Sequence, residues 1–349
     1  MATIRSDVII PEIFTPYIEE QTTLRSDFLQ SGVLAQLPEL NVDEGGDTVN
    51  VPSFAADLTG DAERLTDTTS LTPGKIGARK QVGVVLHRGR AWESRDLARL
   101  AAGADPMAAI GLKVSSYITN QQQKDLLASC AGVFGALGSS NSGAAFVDLT
   151  FDAGGSGETP LSPRHVAKAR SLLGDRGELL STVAMHSTVF YDLVERRAID
   201  YVTADEARVT PASSNAANPA VFAGSVAEAY TQSLGVPFYM GMRVIVSDDI
   251  QQTGSSPNKK FAVYFFTAGA IGTGDQQALR TETDRDILAK SDAMSVDWHN
   301  VYHPMGARWK SAAPVNPETS DLATAANWEK VFETKNIGIV RGTVTSNFD

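Results

Sequence analysis

The chain has 349 residues, of which 42% are hydrophobic and 20% charged, and its formal net charge at pH 7 is −11. This composition excludes general disorder, and the length is enough for two or three domains. The negative charge argues against an extended surface that reads nucleic acid, because such a surface is basic.

The single cysteine, Cys130, excludes an intrachain disulfide and a zinc site built from several cysteines. Because it lies near the end of an apolar helical stretch, we expect a buried, unreactive thiol. No apolar run approaches the roughly 20 residues that span a bilayer, and the N-terminus lacks a signal-peptide pattern. We therefore expect no membrane partner and synthesis in the cytosol.

The first 54 residues predict an extended lead, one short helix and two strands. Thr15 and Pro16 are suited to the start of the helix, and Gly32 ends it. A short amphipathic helix at a chain end is not stable alone, so we expect residues 1–40 to form an arm that docks on its own chain or on a neighbour. Strands are predicted at residues 33–40 and 47–54, on either side of a turn.

Residues 41–91 predict a long two-stranded hairpin. Residues 75–92 alternate between apolar and polar side chains, and residues 55–75 form a polar loop that ends in Pro-Gly. So long a loop without structure is unusual in a compact domain, so we expect it to make contacts outside its own domain; a flexible solvent loop is the alternative. Basic residues gather along this hairpin and are either a solvated face or partners for an acidic patch on a neighbouring subunit: Arg64, Lys75, Arg79, Lys80, Arg88 and Arg90.

Residues 105–133 predict one long helix that begins with Asp105 as its cap and Pro106 in its first turn. Ile110, Val114 and Ile118 continue one apolar stripe at helical spacing. A helix of about 25 residues is about 37 Å long and suits a structural spine. A short helix at residues 94–103 is predicted before it.

The remaining chain predicts a mixed α/β segment and a late β-rich stretch. Residues 132–160 are rich in Gly, Ser and Ala, which favours a loose connection between two domains. Helices are predicted after Ser162 and His186, strands at residues 179–185, 236–239, 243–246, 260–266, 278–283 and 293–302, and a loop at residues 203–220. The tail from about residue 312 predicts an arm rather than a core element.

No motif predicts catalysis, a cofactor or a metal. The glycines of TAGAIGTGD have the reverse of the dinucleotide-binding spacing, so residues 269–274 predict a turn cluster. His299 and His303 are four residues apart, but their segment alternates like a strand, which favours ordinary, partly buried histidines over metal ligands. There is no serine-nucleophile turn and no Walker-type phosphate loop. An α/β enzyme with a site at residues 260–303 remains as an alternative.

Several stretches, taken in order, resemble the major capsid proteins of tailed bacteriophages, which have the Hong Kong phage capsid fold. They are IIPEIFTPYIEEQTTLRSDFLQSG in the arm, GDTVNVPSF at the start of the hairpin, GMRVIVSDDIQ and FAVYFFTAGAIGTG before the late strands, and AMSVDWHNVYHPMGARW. The resemblance covers most of residues 5–310, and it rests on the ordered set rather than on any single stretch.

The resemblance implies an α+β fold with the following parts: an N-terminal arm at 1–40, an extended β-loop at 41–91, a spine helix of the peripheral domain at 92–135, an axial α/β domain at 136–274, a β-rich return to the peripheral domain at 275–312 and a C-terminal extension at 313–349. It implies a coat protein that assembles into pentamers and hexamers and closes an icosahedral head around double-stranded DNA. The expected partners are further copies of the chain, a scaffolding protein, the portal, a decoration protein and the packaged DNA. The expected location is the virion, after assembly in the host cytoplasm. An encapsulin-type nanocompartment shell, which shares the fold, and an adhesion or tail-tube protein are the alternatives.

Overall fold

A computed structural model describes residues 28, 31–41, 45–54, 62–64, 71, 76–97, 106–137, 143–152, 159–202, 236–256 and 259–348. Four predictions lie wholly or mainly outside these residues: the helix after Thr15, the outer loop of the hairpin with Lys75, the helix at residues 94–103 and the loop at residues 203–220. The chain divides into two compact units. Unit 1 contains residues 1–26, 35–133 and 271–333, and unit 2 contains residues 27–34, 134–270 and 334–349.

The described residues form sixteen strands and four α-helices. The strands are β1 (Leu34–Gln36), β2 (Thr48–Phe54), β3 (Ala78–Val84), β4 (Leu86–Arg95), β5 (Thr150–Asp152), β6 (Leu180–Met185), β7 (Asp200–Val202), β8 (Val236–Tyr239), β9 (Met242–Val246), β10 (Gln252–Thr253), β11 (Lys260–Thr267), β12 (Ile271–Asp286), β13 (Ser291–Pro304), β14 (Ala307–Trp309), β15 (Trp328–Lys330) and β16 (Ile339–Val344). The helices are α1 (Pro106–Phe134), α2 (Pro163–Leu173), α3 (Ser187–Glu195) and α4 (Thr319–Leu322).

Unit 1 is built on a four-stranded sheet and the long helix α1. The sheet has the order β1-β12-β13-β4, and β12 and β13 form one long antiparallel hairpin. Ile118 of α1 packs with Val296 and Trp298 of β13 in a buried cluster. The prediction of a long helix from residue 105 to 133 is confirmed, because its apolar stripe has a sheet face to cover.

The two-stranded hairpin is confirmed, but its second strand is shorter than predicted. Strands β2 and β3 pair from Thr48↔Val84 to Phe54↔Ala78. At Val85 the chain leaves the hairpin, and β4 pairs with β13 instead. The sequence marks this point with three consecutive buried apolar residues, Val84, Val85 and Leu86, where a one-sided ribbon would alternate.

Unit 2 contains a second mixed sheet with the order β5-β16-β11-β6-β9-β8-β7 and with β10 beside β11. The run of six buried residues from Phe261 to Phe266 lies on β11, which has strands on both sides. Helices α2 and α3 bury Val166, Leu173 and Leu193. The predicted helices and strands of this segment are confirmed.

The C-terminal tail is not an arm, and that prediction is wrong. Strand β16 is buried along its whole length and lies between β11 and the parallel β5. Its Arg341 is 1% exposed and donates hydrogen bonds to the carbonyl oxygens of Phe134 (3.2 Å) and Gly135 (2.5 Å). The apolar run of this strand is short, because Gly338 precedes it and Arg341 and Gly342 interrupt it, so its residue pattern does not indicate a core strand.

Two glycine-rich stretches are also more ordered than predicted. Within residues 143–152, Phe146 and Leu149 are completely buried, so this part of the expected loose connection belongs to the core of unit 2. The expected turn cluster at residues 269–274 is a turn only at residues 268–269, because β12 begins at Ile271. Gly274 lies within β12, where a Cβ atom would be 2.4 Å from the carbonyl oxygen of Leu40.

Candidate assembly surface

The root of the β2–β3 hairpin is fixed to the body of unit 1. Val49 and Val51 pack against a buried cluster of Leu40, Val85 and Val301. From β3, the buried Gln81 accepts a hydrogen bond from the backbone N–H of Gly306, with its Oε1 atom 2.9 Å from the nitrogen. The hairpin therefore leaves the body from a rigid base.

The outer end of the hairpin exposes large apolar side chains. Phe54 is 72% exposed and lies opposite Ala78, and Ile76 and Leu71 are also exposed. Along β2, exposed and half-buried positions alternate, as expected for a ribbon with one covered face. Apolar side chains at the outer end of a polar ribbon are typical of a surface that a partner covers.

Of the six basic residues predicted to contact a neighbour, Arg79 is held by its own chain. Its guanidinium donates to the carbonyl oxygen of Val331 (3.1 Å) and pairs with Glu333 (3.0 Å). Because both side chains of this pair are solvent-accessible, the pair contributes little to stability. It does tie the edge of the hairpin to residues 331–333 of the same unit.

Arg88 is likewise committed within the chain. Its Nε atom lies 3.0 Å from Oδ2 of Asp125, and a second nitrogen of the guanidinium lies 3.3 Å from Oδ1. Asp125 is 1% exposed and also accepts a hydrogen bond from Thr319 at 2.7 Å. The three residues connect β4, the middle of α1 and the start of α4, so no second subunit is needed to explain Arg88.

Three of the other four predicted basic residues lie at the surface. Arg64, Lys80 and Arg90 are exposed, and Lys75 lies outside the described residues. Arg64, Lys80 and Arg90 therefore present their charge to solvent. The contact of all four residues with a neighbour stays a prediction.

Sequence reasoning missed Asp125 as the centre of this network. The signal was present, because Asp125 is an acidic residue directly before the apolar stretch from Leu126 to Phe134 of α1. A carboxylate in such a position requires a partner, since an unpaired buried charge is strongly unfavourable. A search for its cation would have led to the basic residues of β4.

The two candidate metal-binding histidines lie on β13, as the strand-like pattern predicted. The ring of His299 is 4.4 Å from that of His87, and both rings contact Oε1 of Gln276. His303 is completely buried, and burial lowers its pKa to about 4. Within the described ranges, no three His, Cys, Asp or Glu side chains are grouped as a metal site would require.

Two further predictions concern Cys130 and the membrane. Cys130 is completely buried, which confirms the expected burial. Burial raises the pKa of its thiol to about 12, so its lack of reactivity stays a prediction. In the part of the chain that the structure describes, no helix has the length and apolar character to cross a bilayer.

A family model described as "Major capsid protein 13-like", of the Gp13-like family, matches residues 41–338. The chain belongs to the Gp13-like major capsid protein family. The chain is similar in sequence to the major capsid protein of Bacillus phage SPP1, with 35% identity over 344 residues and 96% of each chain covered. The resemblance predicted from the sequence is therefore confirmed.

Solved capsid structures share the fold of this capsid-family chain. A chain of the Cyanophage Pam1 capsid asymmetric unit has a TM-score of 0.61 at 14% identity, with 97% of each chain covered. A chain of the capsid of Ralstonia phage GP4 has a TM-score of 0.61 at 8% identity, with 96% of each covered. These similarities confirm the predicted α+β fold of the Hong Kong phage capsid type. The family also decides among the open alternatives in favour of a structural head protein of a tailed phage.

Proposed function

We propose that copies of this chain form pentamers and hexamers that close an icosahedral shell around double-stranded DNA. The observation that carries the proposal is the β2–β3 hairpin, which is rigid at its root and exposes Phe54 and Ile76 at its outer end. A shell subunit needs such a projection, because each copy must hold its neighbours through many small contacts that add up to a large buried area.

The two compact units take the two roles that the fold family implies. Unit 1, with α1 and the β12–β13 hairpin, acts as the peripheral domain, and unit 2, with the seven-strand path around β11, acts as the axial domain at the centre of each capsomer. In this assignment the tail is shared, since residues 313–333 belong to unit 1 and residues 334–349 to unit 2. Residues 1–40 and 41–91 reach neighbouring copies.

The proposed partners follow from assembly of a closed head. Closed symmetry limits the growth of the shell. The proposed partners are a scaffolding protein and the portal during assembly in the host cytoplasm, and a decoration protein on the outside of the shell. The net charge of −11 keeps the shell from binding the packaged DNA tightly, because like charges repel.

Among the basic residues, Arg64, Lys75, Lys80 and Arg90 are the proposed contacts to an acidic patch on a neighbour. Arg79 and Arg88 contribute less to such contacts, because each has a carboxylate partner in its own chain. Contacts of this kind set the orientation and the rate of association more than its strength.

Deletion of residues 57–74 tests the proposal. We expect a soluble, folded subunit that forms no closed shells under conditions in which the wild-type chain does, measured by circular dichroism and negative-stain electron microscopy. A point variant sharpens the test. Phe54→Asp, at the outer end of β2, should block closure, whereas Thr48→Asp, exposed on the same strand at its root, should not.

Two outcomes would contradict this role of the hairpin. Loss of folding in the deletion variant would mean that the loop belongs to the core of its own subunit. Shells of normal yield from both the deletion and Phe54→Asp would mean that the hairpin does not hold neighbouring copies.

A further inference from the structure

The far end of the β12–β13 hairpin carries two apolar side chains with almost no cover from their own chain. In the turn that joins the strands, Ile287 is 71% exposed and Leu288 is 96% exposed. We call these two residues the tip. Leu288 contributes almost no buried area to the fold of its own subunit and Ile287 contributes less than a third of its surface, so burial within that subunit does not explain them.

The tip is held on a rigid support. Asp286 accepts hydrogen bonds from the backbone N–H groups of Leu288 (2.8 Å) and Ala289 (3.0 Å), which fixes the turn. Arg285 pairs with Asp96 at 2.7 Å and with Asp292 at 2.6 Å, which fastens the end of the hairpin to the end of β4. A projection that is already ordered loses less conformational entropy when it binds than a flexible loop does.

Unit 1 also contains an apolar groove of matching character. It lies between the first half of α1 and β4, has a volume of about 300 Å³, and is lined by Trp92, Ala109, Ile110, Lys113, Val114 and Tyr117. The rings of Trp92 and Tyr117 meet edge to face with their centroids 5.3 Å apart. Its volume exceeds that of a leucine side chain, so the groove has room for one or both side chains of the tip.

The residues at the base of the groove pack against the core of unit 1, and a positively charged side chain lines the groove. Trp92 and Val114 pack against the buried cluster of Ile118, Val296 and Trp298. Lys113 is exposed and brings a positive charge. The segment around the tip carries three carboxylates, those of Asp284, Asp286 and Asp292, against the two cations Arg285 and Lys290, so its formal charge is −1. Tip and groove are therefore complementary in both apolar character and charge.

We propose that the Ile287–Leu288 tip of one copy inserts into the Trp92–Tyr117 groove of a neighbouring copy. This inference rests on the proposed function and names one of the self-contacts that the shell requires. Each copy offers one tip and one groove, both in unit 1. Such a head-to-tail contact closes into a ring when the rotation between copies allows it.

The first test replaces the tip. Leu288→Asp should leave folding unchanged, because the side chain is exposed, and should weaken the contact between copies about tenfold to a hundredfold, as expected for a buried leucine. Repeated over a whole shell, this loss should abolish closed particles in electron micrographs. Leu288→Met, which keeps an apolar side chain of similar volume, should assemble at the wild-type yield.

The second test locates the contact. Chains with Leu288→Cys are co-assembled with chains carrying Lys113→Cys and oxidised mildly; the native Cys130 is completely buried and does not take part. We expect covalent dimers in the assembled fraction. The matched control mixes Leu288→Cys with Leu179→Cys, an exposed position in unit 2, and should give no comparable dimer.

Normal shells from Leu288→Asp, when the wild-type chain also forms shells, would overturn this contact and leave the proposed function intact. A disulfide formed within single unassembled chains that carry both substitutions would also overturn it, because the tip would then fill its own groove. Absence of wild-type shells under every condition would overturn the proposed function, and this contact with it.

Discussion

Arg88 on β4 and Asp125 in α1 form the ion pair that connects the long helix to the sheet of unit 1. Both nitrogen–oxygen contacts are short, at 3.0 and 3.3 Å, and Asp125 is 1% exposed. Thr319 donates a third hydrogen bond to the same carboxylate at 2.7 Å. The carboxylate is therefore solvated by its own chain in place of water.

Removal of Arg88 should destabilise the subunit strongly. Arg88→Ala leaves the buried Asp125 without its cation, and we expect a loss of about 3–5 kcal/mol in the free energy of unfolding. Arg90→Ala, on the same strand but exposed, should cost less than about 0.5 kcal/mol. Urea unfolding of unassembled subunits measures both, and equal losses would contradict the internal role of Arg88.

Two glycines of α1 should respond in opposite directions to alanine. At Gly132, a Cβ atom would be 2.0 Å from the carbonyl oxygen of Leu322 and 2.5 Å from Nε1 of Trp328, so Gly132→Ala must displace residues 322–328 from the helix. At Gly111, a Cβ atom meets nothing within 4 Å. Gly111→Ala should therefore raise stability by about 0.5–1 kcal/mol, because alanine favours a helix.

Thermal unfolding distinguishes these glycine variants. The midpoint should fall for Gly132→Ala and rise for Gly111→Ala. A rise for both would mean that the segment around Trp328 does not pack closely on α1.

Stability should decrease in mild acid because of His303. Burial lowers the pKa of His303 from 6.5 to about 4, so between these values the unfolded chain binds a proton that the folded chain does not. The free energy of unfolding therefore falls as the pH decreases through this range, with a loss of about 2 kcal/mol from this residue between pH 7 and pH 5.

The variant His303→Gln should remove that part of the pH dependence. Because burial also lowers the pKa of His165 and His186, the informative quantity is the difference in slope between wild type and variant. Identical slopes, measured by urea unfolding at a series of pH values, would contradict the lowered pKa, because His303 would then bind a proton equally well in the folded and unfolded chains.

Cys130 should not react in the folded subunit. Burial raises the pKa of its thiol to about 12, and the side chain is 0% exposed. A thiol reagent at pH 8 should therefore label the protein only at the rate at which it unfolds, with one thiol per chain released by denaturant. Rapid labelling under native conditions would contradict the buried position.

The sequence was most informative where one periodicity continues over many residues. The helical stripe through Ile110, Val114 and Ile118 predicted α1, and the alternation around Val296 and Trp298 predicted β13. Long periodic segments are reliable because many residues report the same solvent face. The ordered set of parts then indicated the capsid family, which no single motif could do.

The predictions failed where long-range packing overrides composition. The segment of β16 predicts a tail because Gly338 precedes its short apolar run and Arg341 and Gly342 interrupt it, yet the strand lies inside the sheet of unit 2, between β5 and β11. The sequence interpretation of Arg88 also left out its intrachain partner Asp125, which is 37 residues away in the chain; the contact of Arg88 with a neighbour stays a prediction. The sequence around Asp125 shows that this residue needs a partner, but in both cases only the fold determines which residue the partner is.

The measurement that addresses the assembly of this chain most directly is size-exclusion chromatography of the expressed protein, followed by negative-stain electron microscopy of the void-volume fraction. The proposed function predicts closed shells of uniform diameter, formed alone or with a scaffolding protein supplied. Only monomers under every assembly condition, with the scaffolding protein present, would contradict it.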